Sequence, residues 1–192
     1  MEITSFEPTL DRESAVERTR NLSLRRYTRQ WLAERLGFES PTRADDVYVV
    51  YYPDYLAYTS LTIRRAIRGR SEMRILAGID AVTESVGHVD VDIPDRQIVV
   101  ADPERIIPPE VSEEDAEGAW REWLFGYVSR EYRAIEIPEY SLDELELVYT
   151  PYWIIDNGSL EASLAISDLT RRTARVEEIR VLEEFYRATA EE

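Results

Sequence analysis

The sequence predicts an α+β protein: a tandem duplication of a helix plus a three-stranded antiparallel meander, with the helices packed on the sheet. Three observations carry that prediction. Blocks of sequence recur in the same order in both halves, apolar residues fall at helical spacing ahead of each half's strands, and the strands are β-branched and aromatic runs broken by turn residues.

The first block pairs Val50-Tyr51-x-Pro53-x-Tyr55 with Val148-Tyr149-x-Pro151-x-Trp153. Acidic pairs precede both copies, Asp45-Asp46 and Asp143-Glu144. The second pairs Ala77-Gly-Ile-Asp-Ala-Val-Thr83 with Leu164-Ala-Ile-Ser-Asp-Leu-Thr170, and the third pairs Arg29-Gln-Trp31-Leu32 with Arg121-Glu-Trp123-Leu124. The expected organisation is a first repeat over residues 1–93, a Pro-rich linker over 94–111 and a second repeat over 112–192. The two sheets are expected to pack together or to join edge to edge.

In the first repeat Leu24, Tyr27, Trp31, Leu32 and Leu36 recur at helical spacing, with Gly37 placed to end the helix. The first ~20 residues read as loosely ordered. Strands follow at about 47–67, 73–81 and 86–93. The linker carries Gln97-Ile-Val-Val100, a run that can add an edge strand. In the second repeat Ser112-Glu-Glu-Asp115 looks like a capping box, and Ala116, Ala119, Trp120, Trp123, Leu124, Tyr127 and Val128 form an apolar stripe. Strands are expected at about 145–156, 159–167 and 173–181, with Asn157-Gly158 as a tight hairpin turn and a short helix from about 182.

Composition bounds the function. The 192 residues include 12 Tyr and 4 Trp and are 44% hydrophobic, enough to bury a core, which excludes intrinsic disorder. No stretch is long and apolar enough to span a bilayer, so no membrane association is expected. Cysteine is absent, removing disulfides, thiolate nucleophiles and Cys-ligated metals. His88 is the single histidine, which leaves little room for His-based catalysis. The amino terminus has no basic stretch followed by an apolar one, so no secretory signal is read and a cytoplasmic location is expected.

All 23 basic residues are Arg, set against 39 acidic residues for a net charge of −16. Dense carboxylates keep a protein hydrated where salt screens their repulsion to a few ångströms. This composition resembles that of acidic cytoplasmic proteins of salt-in haloarchaea; a GC-rich genome is the alternative source of the Arg bias. The turn Asp80-Ala-Val-Thr83-Glu84-Ser-Val86 resembles the D-A-x-T-G-x-V hairpin of PepSY-type repeats, with Glu84 where that family has Gly. The resemblance implies a binding or regulatory module rather than a catalyst.

Two features are candidates for contact. The shared threonine lies 30 positions after the shared proline in the first repeat and 19 in the second, and the extra 11 positions fall in a basic hairpin. Within 62–74 lie Arg64, Arg65, Arg68, Arg70 and Arg74 against one Glu, a local charge of +4. Guanidinium forks suit carboxylate or phosphate. They can pair with the protein's own carboxylates, dock an acidic protein partner or second copy, or contact nucleic acid; net charge disfavours the last. The second feature is strand 47–58, apolar on both faces, with Tyr48, Tyr52 and Tyr58 on one of them. Either both faces are covered, or a Tyr-rich face meets a partner or homodimer.

His88, Asp90 and Asp92 are weak metal candidates. On one strand His88 and Asp92 lie about 13 Å apart and cannot converge on one ion unaided. No nucleotide, zinc-protease or hydrolase motif occurs, and no cofactor or catalytic residue is expected. The function read from sequence is therefore a non-enzymatic interaction or regulatory module. Its rivals are an enzyme using carboxylates such as Asp80, Asp90 and Asp92, with or without a divalent cation, and a nucleic-acid-binding accessory protein.

Overall fold

A computed structural model of the chain describes residues 1–22, 47–65, 69–132, 138–157, 160 and 163–190. It is an α+β protein with eight strands and three helices among those residues. They form two compact units: Met1–Tyr52 with Pro94–Ile107 and Thr150–Glu192, and Pro53–Ile93 with Pro108–Tyr149. These units do not follow the expected division at 93 and 112. Strands β2 (Val47–Arg65) and β6 (Glu139–Ile155) contribute to both.

The second unit is built on β2 from Pro53 onward, β3 (Gly69–Asp80) and β4 (Val86–His88). The β2–β3 ladder runs from Asp54 opposite Asp80 to Arg65 opposite Gly69. Side chains alternate across a strand, so Tyr55, Ala57, Leu61 and Ile63 of β2 share a buried face with Ile75, Ala77 and Ile79 of β3. Helix α2 (Glu113–Tyr132) covers that face with Ala116, Trp120, Leu124 and Val128, a four-residue spacing that keeps one stripe inward. Thr59 interrupts the apolar row because its Oγ1 accepts the Trp120 Nε1 hydrogen at 3.0 Å, which satisfies the polar end of a 1% exposed Trp. At the helix start Ser112 Oγ accepts from Asp115 N at 3.2 Å, as the capping box predicts. The helix on this meander thus follows it in sequence, whereas the repeat pattern expects the preceding helix; that one, over 24–36 with Gly37, lies outside the described residues.

In the first unit β1 (Glu2–Phe6) pairs antiparallel with β5 (Arg96–Val100), and helix α1 (Arg12–Leu22) follows β1. The amino-terminal segment is therefore ordered, not loose: an eleven-residue helix capped by Asp11, whose Oδ1 accepts from Ser14 N at 2.7 Å. That bond holds the Asp11 carboxyl below its ordinary value. The linker's apolar run is strand β5. The end of β6 pairs with β7 (Leu164–Ser167), which pairs with β8 (Thr173–Arg175). A 3-10 turn over Val176–Glu178 and helix α3 (Arg180–Ala190) complete the unit. Leu10, Ala15, Ile155 and Ile166 form its buried cluster, with Val47, Trp153 and Leu164 against it. Tyr51 bridges Ile106 in parallel, so the pairing is mixed.

Two expected strand limits and one expected turn are corrected. The strand predicted over 173–181 stops at Arg175, because Arg175 N donates to Glu178 Oε2 as the chain turns to bury Val176 and Leu182. The one predicted over 86–93 stops at His88, although Val89 N still donates to Leu76 O. The Asn157-Gly158 turn does not close its hairpin in two residues. The last ladder pair is Ile155 with Leu164, and Asn157 N donates instead to Ser163 Oγ at 3.2 Å.

The turns after β3 and β7 have the same backbone bonds. Ala81 N donates to Pro53 O and Asp168 N to Pro151 O; Asp80 N donates to Ser85 O and Ser167 N to Arg172 O. Glu84 and Arg171 both adopt positive φ, 62° and 57°. What each turn holds is also alike. Ala81 O accepts from Glu110 N and Val111 N at 2.8 and 2.9 Å, just ahead of α2. Ahead of α1 a side chain does this: Asp168 Oδ2 accepts from Thr9 N and Oδ1 from Leu10 N, at 2.7 and 2.8 Å.

Candidate functional site

The basic hairpin is the distal part of the β2–β3 ladder. Register sets Arg64 opposite Arg70 and Arg74 opposite Ser60. Arg70 and Arg74 are exposed. They lie in the strand row that alternates with the row under α2. Arg70 Nη2 reaches Glu139 Oε2 at 2.9 Å, but the two side chains stay 65% and 76% exposed, so water screens the pair. Ser60 Oγ donates to Asp143 Oδ2, placing a second acid from β6 beside that row. The side chains of Arg64 and Arg65, and all of Arg68, lie outside the described residues.

The three tyrosines do not make one exposed face. Tyr52 is only 6% exposed, its ring 5.7 Å from that of Tyr152, and this corrects its assignment to a partner-facing surface. The cause is that both sides of β2 are covered around it, which alternation alone cannot reveal. Tyr58, in the second unit, is half-buried. Tyr48, in the first unit, is half-buried beneath the Arg105 guanidinium, 4.9 Å from its ring centroid. Burial first, then the charges of Asp156 and Tyr186, push its phenol up to about 12, against the pull of Arg105.

Around Asp156 lies a polar group that sequence reasoning missed. Its Oδ1 accepts from Tyr186 Oη at 2.8 Å and from Ser163 Oγ at 3.2 Å. The residues come from a loop, a loop end and α3, so no local spacing signals them. Asp168 was equally hidden. It is 1% exposed, and besides the two backbone bonds its Oδ2 accepts the Thr9 hydroxyl at 2.8 Å. Only its alignment with Ala81 in the second repeated block singles it out.

His88, Asp90 and Asp92 do not share a strand face, since β4 ends at His88. The His88 ring instead stacks on Tyr127 at 5.2 Å, and Tyr127 on Trp123 at 4.7 Å. Burial foremost, then the hydrogen bond and charge of Tyr132, with Glu131 and Asp90 in smaller part, raise Tyr127 to about 12. Among the described residues no three His, Asp or Glu converge where a metal could sit. Asp80 is engaged in its turn, Oδ1 accepting from Val82 N and Thr83 N at 2.9 Å each. An open cleft of about 1030 Å³ gathers Glu84, Glu114, Asp115, Glu117 and Glu122, but not Asp80, Asp90 or Asp92. No described helix is long and apolar enough to cross a membrane. Comparison with protein-family models, with curated proteins and with solved structures finds no match.

Proposed function

We propose that this chain is a non-enzymatic interaction or regulatory module of a salt-adapted cytoplasm. In this reading two copies of one unit share a scaffold, and one copy carries a basic hairpin that docks an acidic protein partner. The observation that carries it is the exposure of Arg70 and Arg74 on a ladder whose other face is anchored under α2. A rigid base with screened guanidinium groups at its outer end suits carboxylate recognition, because little order is lost when a partner arrives. The matching turn bonds and the shared positive φ support the duplication. Glu84 takes that φ where the PepSY hairpin has Gly, which supports the resemblance. The −16 charge with Arg as the sole cation supports the salt-adapted setting.

The test is capture from a molar-salt lysate by the full chain and by an Arg70→Glu, Arg74→Glu double variant. A protein held by the first and released by the second fits the proposal; identical capture by both overturns it. Salt-sensitive binding to duplex DNA that the double variant loses turns the reading to nucleic acid instead.

A further inference from the structure

We infer that the partner of the basic hairpin is a second copy of the chain, whose acidic cleft along α2 receives Arg70 and Arg74, so that copies associate head to tail. The inference rests on the hairpin reading and names its partner. Cleft and hairpin both belong to the second unit. The cleft, about 1030 Å³, is lined by the amino-terminal half of α2 and by the turn after β3. Two of its acids are already engaged: Asp115 accepts from Ser112 Oγ, and Glu117 pairs with Arg121. Glu84, Glu114 and Glu122 are exposed and have no cationic partner among the described residues. Carboxylates gathered along one cleft repel one another, and a cation seated among them removes that repulsion. Gly118 is an independent sign of an occupant. It lines the same cleft on the exposed face of α2. Glycine weakens a helix interior relative to Ala, and the chain gains no packing from it here: a Cβ on Gly118 would meet nothing beyond its own helical turns within 4 Å. What the glycine leaves open is the helix backbone, within reach of a side chain arriving from outside.

The hairpin does not reach the cleft of its own copy. Arg70 and Asp80 stand ten positions apart on β3, about 33 Å along the strand. Arg70 and Arg74 also lie in the row on the sheet face away from α2. A second copy supplies the same arginines without that constraint. Arg74 is exposed and has no carboxylate partner among the described residues. Arg70 holds Glu139 in a pair open to water on both sides, so exchanging Glu139 for a cleft carboxylate costs little. Guanidinium forks take carboxylates bidentately. Because hairpin and cleft face opposite ways at opposite ends of one sheet, two copies do not satisfy both contacts at once. Each contact leaves one free hairpin and one free cleft, so association continues past two copies. The net charge of −16 on each copy opposes this until salt shortens the Debye length to about 3 Å, and an Arg–carboxylate contact of about 2.8 Å still lies inside that length.

The test is sedimentation of the full chain in molar salt across a wide concentration range, beside two neutralised variants. The unaltered chain is expected to pass from 22.4 kDa to beyond twice that mass. Arg70→Gln with Arg74→Gln disarms the hairpin, and Glu84→Gln with Glu114→Gln and Glu122→Gln disarms the cleft. Each set should weaken association about tenfold or more, with unchanged circular dichroism. Where neither variant associates alone, an equimolar mixture should form two-chain particles and nothing larger, because one intact hairpin meets one intact cleft. Gly118→Met adds bulk without charge and should weaken association as well. An unaltered chain that stays monomeric or stops at two copies, association untouched by either neutralised set or by Gly118→Met, or a mixture that stays monomeric would each overturn the inference. A monomeric chain that still captures a foreign acidic protein through Arg70 and Arg74 would refute this inference and leave the hairpin reading standing.

Discussion

The β2–β3 and β6–β7 ladders start from the same base and end differently. Asp54–Asp80 and Tyr152–Ser167 are the first pairs, each next to a proline carbonyl that accepts from the residue after the strand. From there β3 continues for 12 residues and β7 for 4. The base fixes register, since a one-residue slip would turn every side chain to the wrong face. Once the base is fixed, the outer end can lengthen without disturbing the core near the turn. The inner face of the longer ladder keeps Leu61 and Ile63 under α2, while Arg70 and Arg74 fall in the alternate row. The longer ladder carries charge at its tip above a base bonded like that of the shorter one.

The comparison can be broken most severely at the support beneath the longer ladder. Trp120→Ala should cost about 3–5 kcal/mol by guanidinium unfolding, since it empties a fully buried site and strands Thr59 Oγ1. Next comes the contrast between a carbonyl and a carboxylate doing one job. Asp168→Ala should cost about 2–3 kcal/mol, because Thr9 N and Leu10 N lose a charged acceptor in a buried setting. Ahead of α2 the acceptor is the Ala81 carbonyl, which no substitution deletes. Amide exchange should accordingly quicken around α1 and not around α2.

Alkaline titration probes both units over the same window. The phenols of Tyr48 and Tyr127 rise from 10.0 to about 12, so folding favours their neutral forms. Their contribution to stability is complete below pH 10 and is lost as pH climbs towards about 12. Tyrosinate absorbance should show a late-ionising fraction, and Tyr48→Phe should reduce it. The smallest effect is expected in the left-handed residues of the two turns. Glu84→Gly should add about 0.5–1 kcal/mol, and Arg171→Gly less, because it also removes the Arg171 Nη2 bond to Thr9 Oγ1; no gain at Glu84 would break the comparison.

Long periodic segments were legible from sequence. The stripe of α2, its Ser112 cap, the start of β2 and the linker strand all follow from spacing and turn residues. What failed was pairing at a distance. Glu2–Phe6 is short and polar, and its partner lies some ninety residues on, so nothing local marks it as a strand. Residues 12–22 are mostly charged or polar, and among the described side chains only Ala15 is fully buried, so their periodicity is faint. The Asn157-Gly158 signal was overruled by Ser163, which draws the loop closed further on. At the candidate site the cluster of arginines was plain. That Tyr52 is covered was not, because alternation separates two faces without saying what meets each.

The nesting of segments has a consequence for how the protein is made. The second unit is complete once residue 149 has emerged, and everything it needs lies between Pro53 and that point. The first unit also draws on Thr150–Glu192, so Thr9 and Leu10 meet their acceptor Asp168 only after the residues of the second unit have been made. Vectorial synthesis therefore imposes an inside-out assembly order, with Asp168 acting as the late latch that captures the waiting Thr9 and Leu10. A ribosome stalled before that aspartate would carry one finished unit and one unfinished one.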